Sequence, residues 1–495
     1  MMSLMEAAVA VDAASSAMCC GDRRIEGIST DTRTLASGEL YIALKGERFD
    51  GHAFIDAAIQ RGAAAAMVNR DWAKGLTTFP PSPSPREGVT VAHGLRPLGK
   101  DEGFSLPLLT VADTRLALGQ LGAWWRARFD IPLIGVTGSN GKTTVKEMAA
   151  AILRAQARAD GFDPALAVLA TAGNLNNDIG LPQMLLRLRG SHRAAVIEMG
   201  MNHPGEIGYL TRLAQPTVAL VNNAQRAHLA GLGGIAEVAR AKGEIFGGLR
   251  DGGTAVINAD DAYAGLWRGM NAGRRVLTFG FDPAADVRGR AEMKALGTRL
   301  SMATPWGAAD ITLAVPGLHN ARNALAAAAA ALAAGATLEA VFSGLTSFTG
   351  VKGRLHIRAA AGGAVLIDDS YNANPDSARA AIDVLASTPG RKLFVLGDMG
   401  EIGGQAAQFH DEIGGYAKSQ GVDQLFALGE HSELAARGFG AGGHHFADVE
   451  ALLAALRPQL TADTAVLVKG SRFMRMERVV DAIVPPAQEG GRHVA

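Results

Sequence analysis

Cysteine is almost absent. Cys19 and Cys20 are the only two in 495 residues, and neighbouring cysteines rarely bridge. That excludes a disulfide-stapled scaffold and points to a reducing, cytoplasmic setting. An excess of either charge is missing too: 48 basic residues face 48 acidic ones, so the total gives no pull toward nucleic acid or a membrane surface. No apolar run reaches membrane-spanning length, and the Ala-rich stretch Ala324–Ala336 is too short to cross a bilayer. The segment Met1–Ala17 carries Glu6 and Asp12 and lacks a basic leader region, so it is expected to form a helix opening the first domain.

What remains is a core-forming chain, 48% apolar and 19% charged, which is globular rather than disordered. Its length implies about three domains. Residues 1–113 read as a small α/β domain, with strands at Leu40–Leu44 and Ala63–Val68 and a helix at Phe54–Arg61. Within it, about 74–105 holds Pro80-Pro81-Ser82-Pro83-Ser84-Pro85. Proline denies backbone donors, so this reads as an exposed insertion.

Residues 114–347 alternate apolar strands with helices. Strands are expected at Pro132–Thr137, Ala194–Met199, Val218–Val221, Thr254–Asn258 and Arg275–Phe279, with helices at Leu116–Phe129, Thr143–Ala155 and Ile235–Leu249. That pattern implies a mostly parallel sheet covered on both faces. A second α/β series fills 348–495, with strands at Ala364–Ile367, Lys392–Leu396, Gln424–Leu428 and Ala465–Val468 and helices at Ser377–Ala386, Ala406–Lys418 and Val449–Leu456. The fold class is therefore α/β, in three domains.

The sharpest motif is Thr137-Gly138-Ser139-Asn140-Gly141-Lys142-Thr143-Thr144, set between a strand and a helix. Gly138 and Gly141 let backbone N–H groups curl around phosphate oxygens, and the helix N-terminus adds partial positive charge. Lys142 suits the β/γ phosphates of ATP, and the Thr143 hydroxyl suits Mg²⁺. The common phosphate-loop pattern has a glycine five residues before Gly141; here that position is Val136. Glu198 ends another strand, on the side where such a loop lies.

The variant loop T-G-x-N-G-K-T-T resembles that of the Mur ligases, ATP-dependent ligases that add amino acids to the peptidoglycan precursor. Other segments resemble the same family: Thr30-Asp31-Thr32-Arg33, Ala43 to His52, Gly173 to Gly180, Ile197-Glu198-Met199-Gly200, Asn222-Asn223-Ala224 with His228, Ala241-Lys242-Gly243-Glu244, Gly317 to Asn323, Asp368 to Pro375, Gly397 to Glu401 and Val468 to Arg472. The resemblance covers nearly the whole chain outside the insertion and the two ends. It implies a UDP-binding first domain, a phosphate-loop ATPase domain and a Rossmann-like third domain. Within the family, Asp368–Pro375 and Gly397–Glu401 most resemble the member that joins D-alanyl-D-alanine to UDP-N-acetylmuramoyl-tripeptide through an acyl phosphate.

The resemblance also distributes roles. Lys142, Glu198, His228, Lys242 and Arg354 are the implied catalytic set. Thr143, Glu198, His228 and Lys242 are the implied surroundings of Mg²⁺, with Lys242 carbamylated. A carbamate needs a neutral amine, so the site should lower that lysine's pKa. Gly138 to Thr144, Asn320 and Asp368 would hold ATP, Asp368 at the ribose and Asn320 at adenine, helped by Asn323 or His319. Thr30, Asp31, Arg33, Lys45 and Gly46 would hold the UDP portion. Asn174, Asn176, Asn177 and Asp178 would lie near the rest of that substrate. Asp398, Glu401, Lys469 and Ser471 are candidates for touching D-alanyl-D-alanine or bracing the closed form. The family is usually monomeric. The alternatives are a sibling ligase adding the third residue, a folylpolyglutamate synthase-like ligase, and a phosphate-loop switch that makes no bond.

Overall fold

The computed structural model describes residues 1–13, 23–47, 49–74, 106–226, 232–294 and 296–485. The two cysteines, residues 14–17 of the expected first helix, nearly all of the Pro-rich insertion and His228 lie outside these. Contacts divide the chain into two units, taken separately below. One comprises Met1–Ile131, Thr171–Arg193 and Tyr209–Gln215; the other comprises Pro132–Ala170, Ala194–Gly208 and Pro216–Ala495.

The first unit is built on four parallel strands in chain order, β1 (Gly27–Ser29), β2 (Glu39–Ile42), β3 (Ala65–Asn69) and β4 (Leu108–Val111). Helix α1 (Leu4–Ala10) starts at a reciprocal cap between Ser3 and Glu6, which satisfies two otherwise orphaned N–H groups. Helix α2 (Ile55–Gln60) contributes Ile55 and Ala58 to a core with Tyr41, Ala66 and Val68. Helix α3 (Thr114–Arg126) is capped by Asp113, whose carboxylate accepts from the N–H groups of Arg115 and Leu116.

The second unit holds two sheets. In the first, β5 (Leu133–Thr137), β6 (Val168–Ala170), β7 (Ala194–Glu198), β8 (Val218–Val221), β9 (Thr254–Asn258) and β10 (Arg275–Gly280) are joined by β11 (Val287–Lys294), β12 (Gly297–Thr304) and β13 (Gly307–Leu313), in the order 13-12-11-10-9-8-5-7-6. Strands six to eleven and β5 pair in parallel; β12 and β13 run antiparallel. The chain leaves β5 toward β6 and β7 on one side and reappears on the other at β8. Such a reversal opens a crevice at the carboxyl ends of the strands.

Helix α4 (Lys142–Ala159) and helix α5 (Ile235–Gly243) follow β5 and β8 in the chain. Helix α6 (Leu318–Ala333) is sealed: Ala324 and Ala326 to Ala331 have no exposed surface. Methyl side chains let it lie flush in a core with Val145, Met148 and Ile152 of α4. Helix α7 (Leu338–Thr346) crosses α4 at Gly344, where a Cβ would come 2.5 Å from the Ile152 backbone.

The second sheet contains β14 (His356–Ala359), β15 (Val365–Asp369), β16 (Arg391–Gly397), β17 (Gln424–Leu428), β18 (Gly443–Phe446) and β19 (Thr464–Lys469), ordered 14-15-19-16-17-18. Only β14 is antiparallel to its neighbour among these strands. Helices α8 (Pro375–Ala386) and α9 (Ala406–Ser419) pack on one face, and α10 (Val449–Leu456) and α11 (Glu477–Ile483) on the other. Among the described residues no helix is long and apolar enough to cross a membrane.

Candidate active site

The loop after β5 is shaped by its glycines. Gly138 (φ +155°) and Gly141 (φ +81°) take backbone conformations that side chains resist. A Cβ on Gly141 would lie 2.4 Å from Asn323 Oδ1 and 2.6 Å from Asn222 Nδ2. The loop therefore rests on a wall of asparagines. Asn222 Nδ2 donates to Asn140 O and to Asn323 Oδ1, both at 2.9 Å. The Asn140 N–H donates to Asn223 Oδ1 at 2.9 Å. Ser139 Oγ accepts from the Gln225 N–H at 2.9 Å.

Lys142 Nζ donates to the carbonyls of Gly138 (2.7 Å) and Ser139 (3.2 Å). Burial lowers its pKa, Glu198 acts against this, and Arg354 adds to it. Beside it the Thr143 hydroxyl donates to Glu198 Oε2 at 2.8 Å, with Thr143, Thr144 and Glu198 all buried. A hydroxyl and a carboxylate side by side make a hard oxygen pair, the donor type magnesium selects. Among the described residues no group of three or more His, Cys, Asp or Glu is placed to hold a metal. Lys242, on α5, has no exposed surface. Burial first and the Lys142 charge second push its pKa well below the ordinary lysine value.

Asn320 and Asn323 lie buried on α6. Asn320 Nδ2 donates to Pro316 O at 2.7 Å, and Asn323 Nδ2 donates to Asn320 Oδ1 at 3.3 Å. His319 is pushed down to about 4, by burial and then by the Lys469 and Arg322 charges.

The second sheet brings Arg354 to this place. Gly353 (φ +75°) and Leu355 (φ +51°) flank it in left-handed conformations. The Leu355 N–H is held by Asp369 Oδ1 at 3.1 Å, and Asp369 in turn is ion-paired with Lys469. Lys469 Nζ also donates to Asn372 O at 2.9 Å. The expected ribose carboxylate, Asp368, lies on β15. Asp368 has no exposed surface, and its Oδ1 accepts from the Ser370 hydroxyl (2.6 Å) and N–H (3.2 Å). Side chains alternate along a strand, and Leu366 packs on the α10–α11 face of the sheet while Ile367 packs on the other. Asp369 therefore lies on the opposite face of the strand from Asp368, ion-paired with Lys469.

Two links join the two sheets' site elements. Asn374 Nδ2 donates to Asn140 Oδ1 at 2.7 Å. Arg226 donates through Nη2 (2.6 Å) and Nε (2.9 Å) to Asp376 Oδ1 and through Nη1 to Glu412 (3.3 Å). Arg226 carried no motif and was missed. Asp398 Oδ1 accepts from the Ser432 N–H (2.7 Å) and hydroxyl (2.6 Å). Ser471 Oγ accepts from the Gly400 N–H at 2.7 Å and donates to Ala373 O at 3.2 Å. Glu401 is exposed, with φ +59°.

The expected UDP-side residues gather in the first unit. Thr30 Oγ1 accepts from Gln183 Nε2 at 3.3 Å. Arg33 is ion-paired with Asp31 at 2.6 Å and holds that carboxyl near 2. The Lys45 and Asp50 backbones form an isolated antiparallel β-bridge, and the Gly46 N–H donates to Phe49 O at 2.8 Å. Asp178 takes a two-pronged ion pair from Arg115. Asn177 Oδ1 accepts from the Gly180 N–H at 2.8 Å, a turn brace. The Asn176 N–H donates to Asn174 O at 2.7 Å.

Comparison with known proteins bears on this arrangement. Residues 24–79 match the Mur ligase family catalytic domain, 136–331 the Mur ligase middle domain, and 353–472 the Mur ligase glutamate ligase domain. The chain is 42% identical over 474 residues to the UDP-N-acetylmuramoyl-tripeptide–D-alanyl-D-alanine ligase of Escherichia coli, spanning 95% of each. It is 34% identical to a crystal structure of MurF from Acinetobacter baumannii, covering 97% of this chain and 98% of that one, with a TM-score of 0.81. A MurF ligase from Thermotoga maritima in complex with ADP matches at 25% identity, 93% and 96% coverage, and a TM-score of 0.74.

Proposed function

The chain belongs to the Mur ligase family, and from that premise we infer that it is an ATP-dependent amide ligase joining D-alanyl-D-alanine to UDP-N-acetylmuramoyl-tripeptide in peptidoglycan precursor synthesis. The observation that carries the reading is the meeting of Lys142, Thr143 and Glu198 with Arg354 beside one phosphate loop, in a chain similar end to end to such a ligase.

A carboxylate is a poor acyl donor because oxide is a poor leaving group. Attack of the tripeptide carboxylate on the γ-phosphorus of ATP releases ADP and leaves an acyl phosphate. The amine of D-alanyl-D-alanine then adds to the acyl carbon. The tetrahedral intermediate collapses, expelling phosphate, and the nitrogen loses its proton as the amide forms. Both reactants of the first step are anionic. Lys142 and Arg354 lower that repulsion, and a guanidinium fork suits phosphoryl oxygens. The asparagine wall fixes the loop so that its N–H groups stay aimed at phosphate. Asp369 is the carboxylate for the ribose, and Asn320 serves adenine. Thr143 and Glu198 would hold Mg²⁺, which supplies charge neutralisation at the phosphates; His228 joins them by resemblance. Residues 1–113 bind the UDP portion, 114–347 hold ATP, and 348–495 complete the nucleotide site.

Lys242 is the proposed carbamate. Its neutral amine adds to CO₂, losing one proton, and becomes an anionic oxygen ligand in place of a cation. Lys242→Ala should abolish turnover, with partial rescue by short-chain carboxylates, and the intact wild-type protein should lose the mass of CO₂ on acidification. Full activity in the alanine variant would end the idea. The ligase reading itself is tested with a substrate panel: phosphate release should require UDP-tripeptide together with D-alanyl-D-alanine. Release with a UDP-dipeptide plus diaminopimelate or lysine would overturn it.

A further inference from the structure

In the first unit, Lys45 and Gly46 sit on a turn whose two ends are tied to one point. Ala43 precedes the turn, and its carbonyl accepts from the Thr114 hydroxyl at 2.8 Å. His52 follows it. The His52 ring is buried, with Nδ1 2.5 Å from Asp50 Oδ1 and Nε2 accepting from the Asn69 N–H at 3.0 Å. A neutral imidazole carries one ring proton, so Nδ1–H donates to Asp50 while Nε2 receives. Asn69 closes the circuit, its Oδ1 accepting from the Thr114 N–H at 3.2 Å. Both ends of the turn therefore meet at Thr114, one directly and one through Asn69.

Thr114 opens α3, and Arg115 beside it is ion-paired to Asp178 through two donors. Asp178 belongs to the segment expected near the rest of the UDP-linked substrate. The first turn of α3 thus joins two parts of the first unit that would hold different portions of one ligand. We propose that His52 is a positioning residue for that substrate: by way of Asn69 and Thr114 it holds the turn at Lys45 in register with Asp178. The proposal rests on the placement of the UDP portion at Lys45 and Gly46. His52, Asn69 and Thr114 act through the backbone they hold and touch no substrate themselves.

Packing alone does not ask for histidine here. Trp72 lies beside the ring, centroids 4.9 Å apart, and an apolar side chain would serve that contact. An imidazole adds a donor and an acceptor at opposite sides of one rigid ring. A carboxamide has both groups on one carbon and cannot reach Asp50 and Asn69 together. The turn is also braced across its own base. The Lys45 and Asp50 backbones bridge, and the Tyr41 hydroxyl donates to Gly51 O at 2.9 Å. A Cβ on Gly51 would come 2.8 Å from Leu44 O. His52 therefore sets where the turn stands, not whether it forms. A ligand held at two places is sensitive to such a shift, since small misplacements weaken every contact that depends on register.

The test is steady-state kinetics of the full-length enzyme at saturating D-alanyl-D-alanine, comparing the KM for UDP-tripeptide with the KM for ATP. His52→Asn keeps a donor for Asp50 and removes the acceptor for Asn69. It should raise the KM for UDP-tripeptide about tenfold, the scale of one hydrogen bond left unmade. The KM for ATP and kcat should stay within about twofold of wild type, as expected when only substrate binding is lost. His52→Gln carries its carbonyl oxygen near the place of Nε2 and should recover most of the loss. Thr114→Val keeps every bond of His52 but frees the Ala43 carbonyl. It should reproduce the His52→Asn pattern, and it serves if position 52 does not fold with asparagine. Because the two changes break one relay, the double variant should raise the KM little more than either alone. An unchanged KM for UDP-tripeptide in both single variants, or one that rises together with the KM for ATP, would overturn the relay. Lys45→Ala tests the premise separately: if its KM for UDP-tripeptide equals that of wild type, the placement of UDP at this turn is what fails.

Discussion

Residues in this site differ from their sequence neighbours mainly in how their charge is housed. His319 shows the consequence. Its folded pKa is about 4 against an ordinary 6.5, chiefly from burial. Between those values the unfolded chain binds a proton that the native one refuses, so stability falls as pH drops from 6.5 to 4 and levels off below. The gap corresponds to about 3 kcal/mol. Urea unfolding across pH 7 to 4 should show wild type losing about that much more than His319→Gln; parallel curves would refute the assignment. Burial, then the Lys142 charge, likewise pushes the Lys242 pKa well below its ordinary value. Nothing in the string Ala241-Lys242-Gly243 foretells it, because desolvation depends on what packs around an amine, and that comes from distant segments. Asp368 and Asp369 make the same point: the motif marks the pair, and only the strand's facing tells them apart.

Elements buried on both faces were the easiest to read. Strands β8, β9 and β17 fall on their expected residues, since continuous apolar runs between turns have one good interpretation. The strands β11, β12 and β13 at the end of the first sheet received no expectation. Along β11, Arg288, Arg290, Glu292 and Lys294 interrupt the apolar pattern, and the strand is mostly solvent-facing. The edge strands β14 and β18 are likewise only part-buried. Another element-level device is Arg226, which reaches the first turn of α8 at Asp376 and the side of α9 at Glu412. All three side chains are about three-quarters buried. A double-mutant cycle on Arg226→Ala and Asp376→Ala should give a coupling of roughly 1 to 3 kcal/mol by thermal unfolding. Additive losses would mean the pair is solvated in solution and holds nothing.

For the molecule, the nucleotide reading makes a joint demand on both sheets of the larger unit. Lys142 and Asn140 belong to one, Arg354, Asp369 and Asn374 to the other, and Asn140 and Asn374 touch. A non-hydrolysable ATP analogue at a hundred times its Kd should add about 2.7 kcal/mol of stability. Hydrogen exchange should slow together at 137–144 and at 353–374, and Lys142→Ala should remove both effects. Protection confined to 137–144 would show that the second sheet does not grip nucleotide. The phosphate loop, the alternation of strands and helices and the family were legible in the sequence, because glycine conformations, apolar periodicity and short motifs are local properties. The tertiary structure alone decided which lysine burial pushes far below its ordinary pKa, which of Asp368 and Asp369 pairs with Lys469 and what Arg226 binds. Those depend on burial and on partners up to 186 positions away, which residue order does not record.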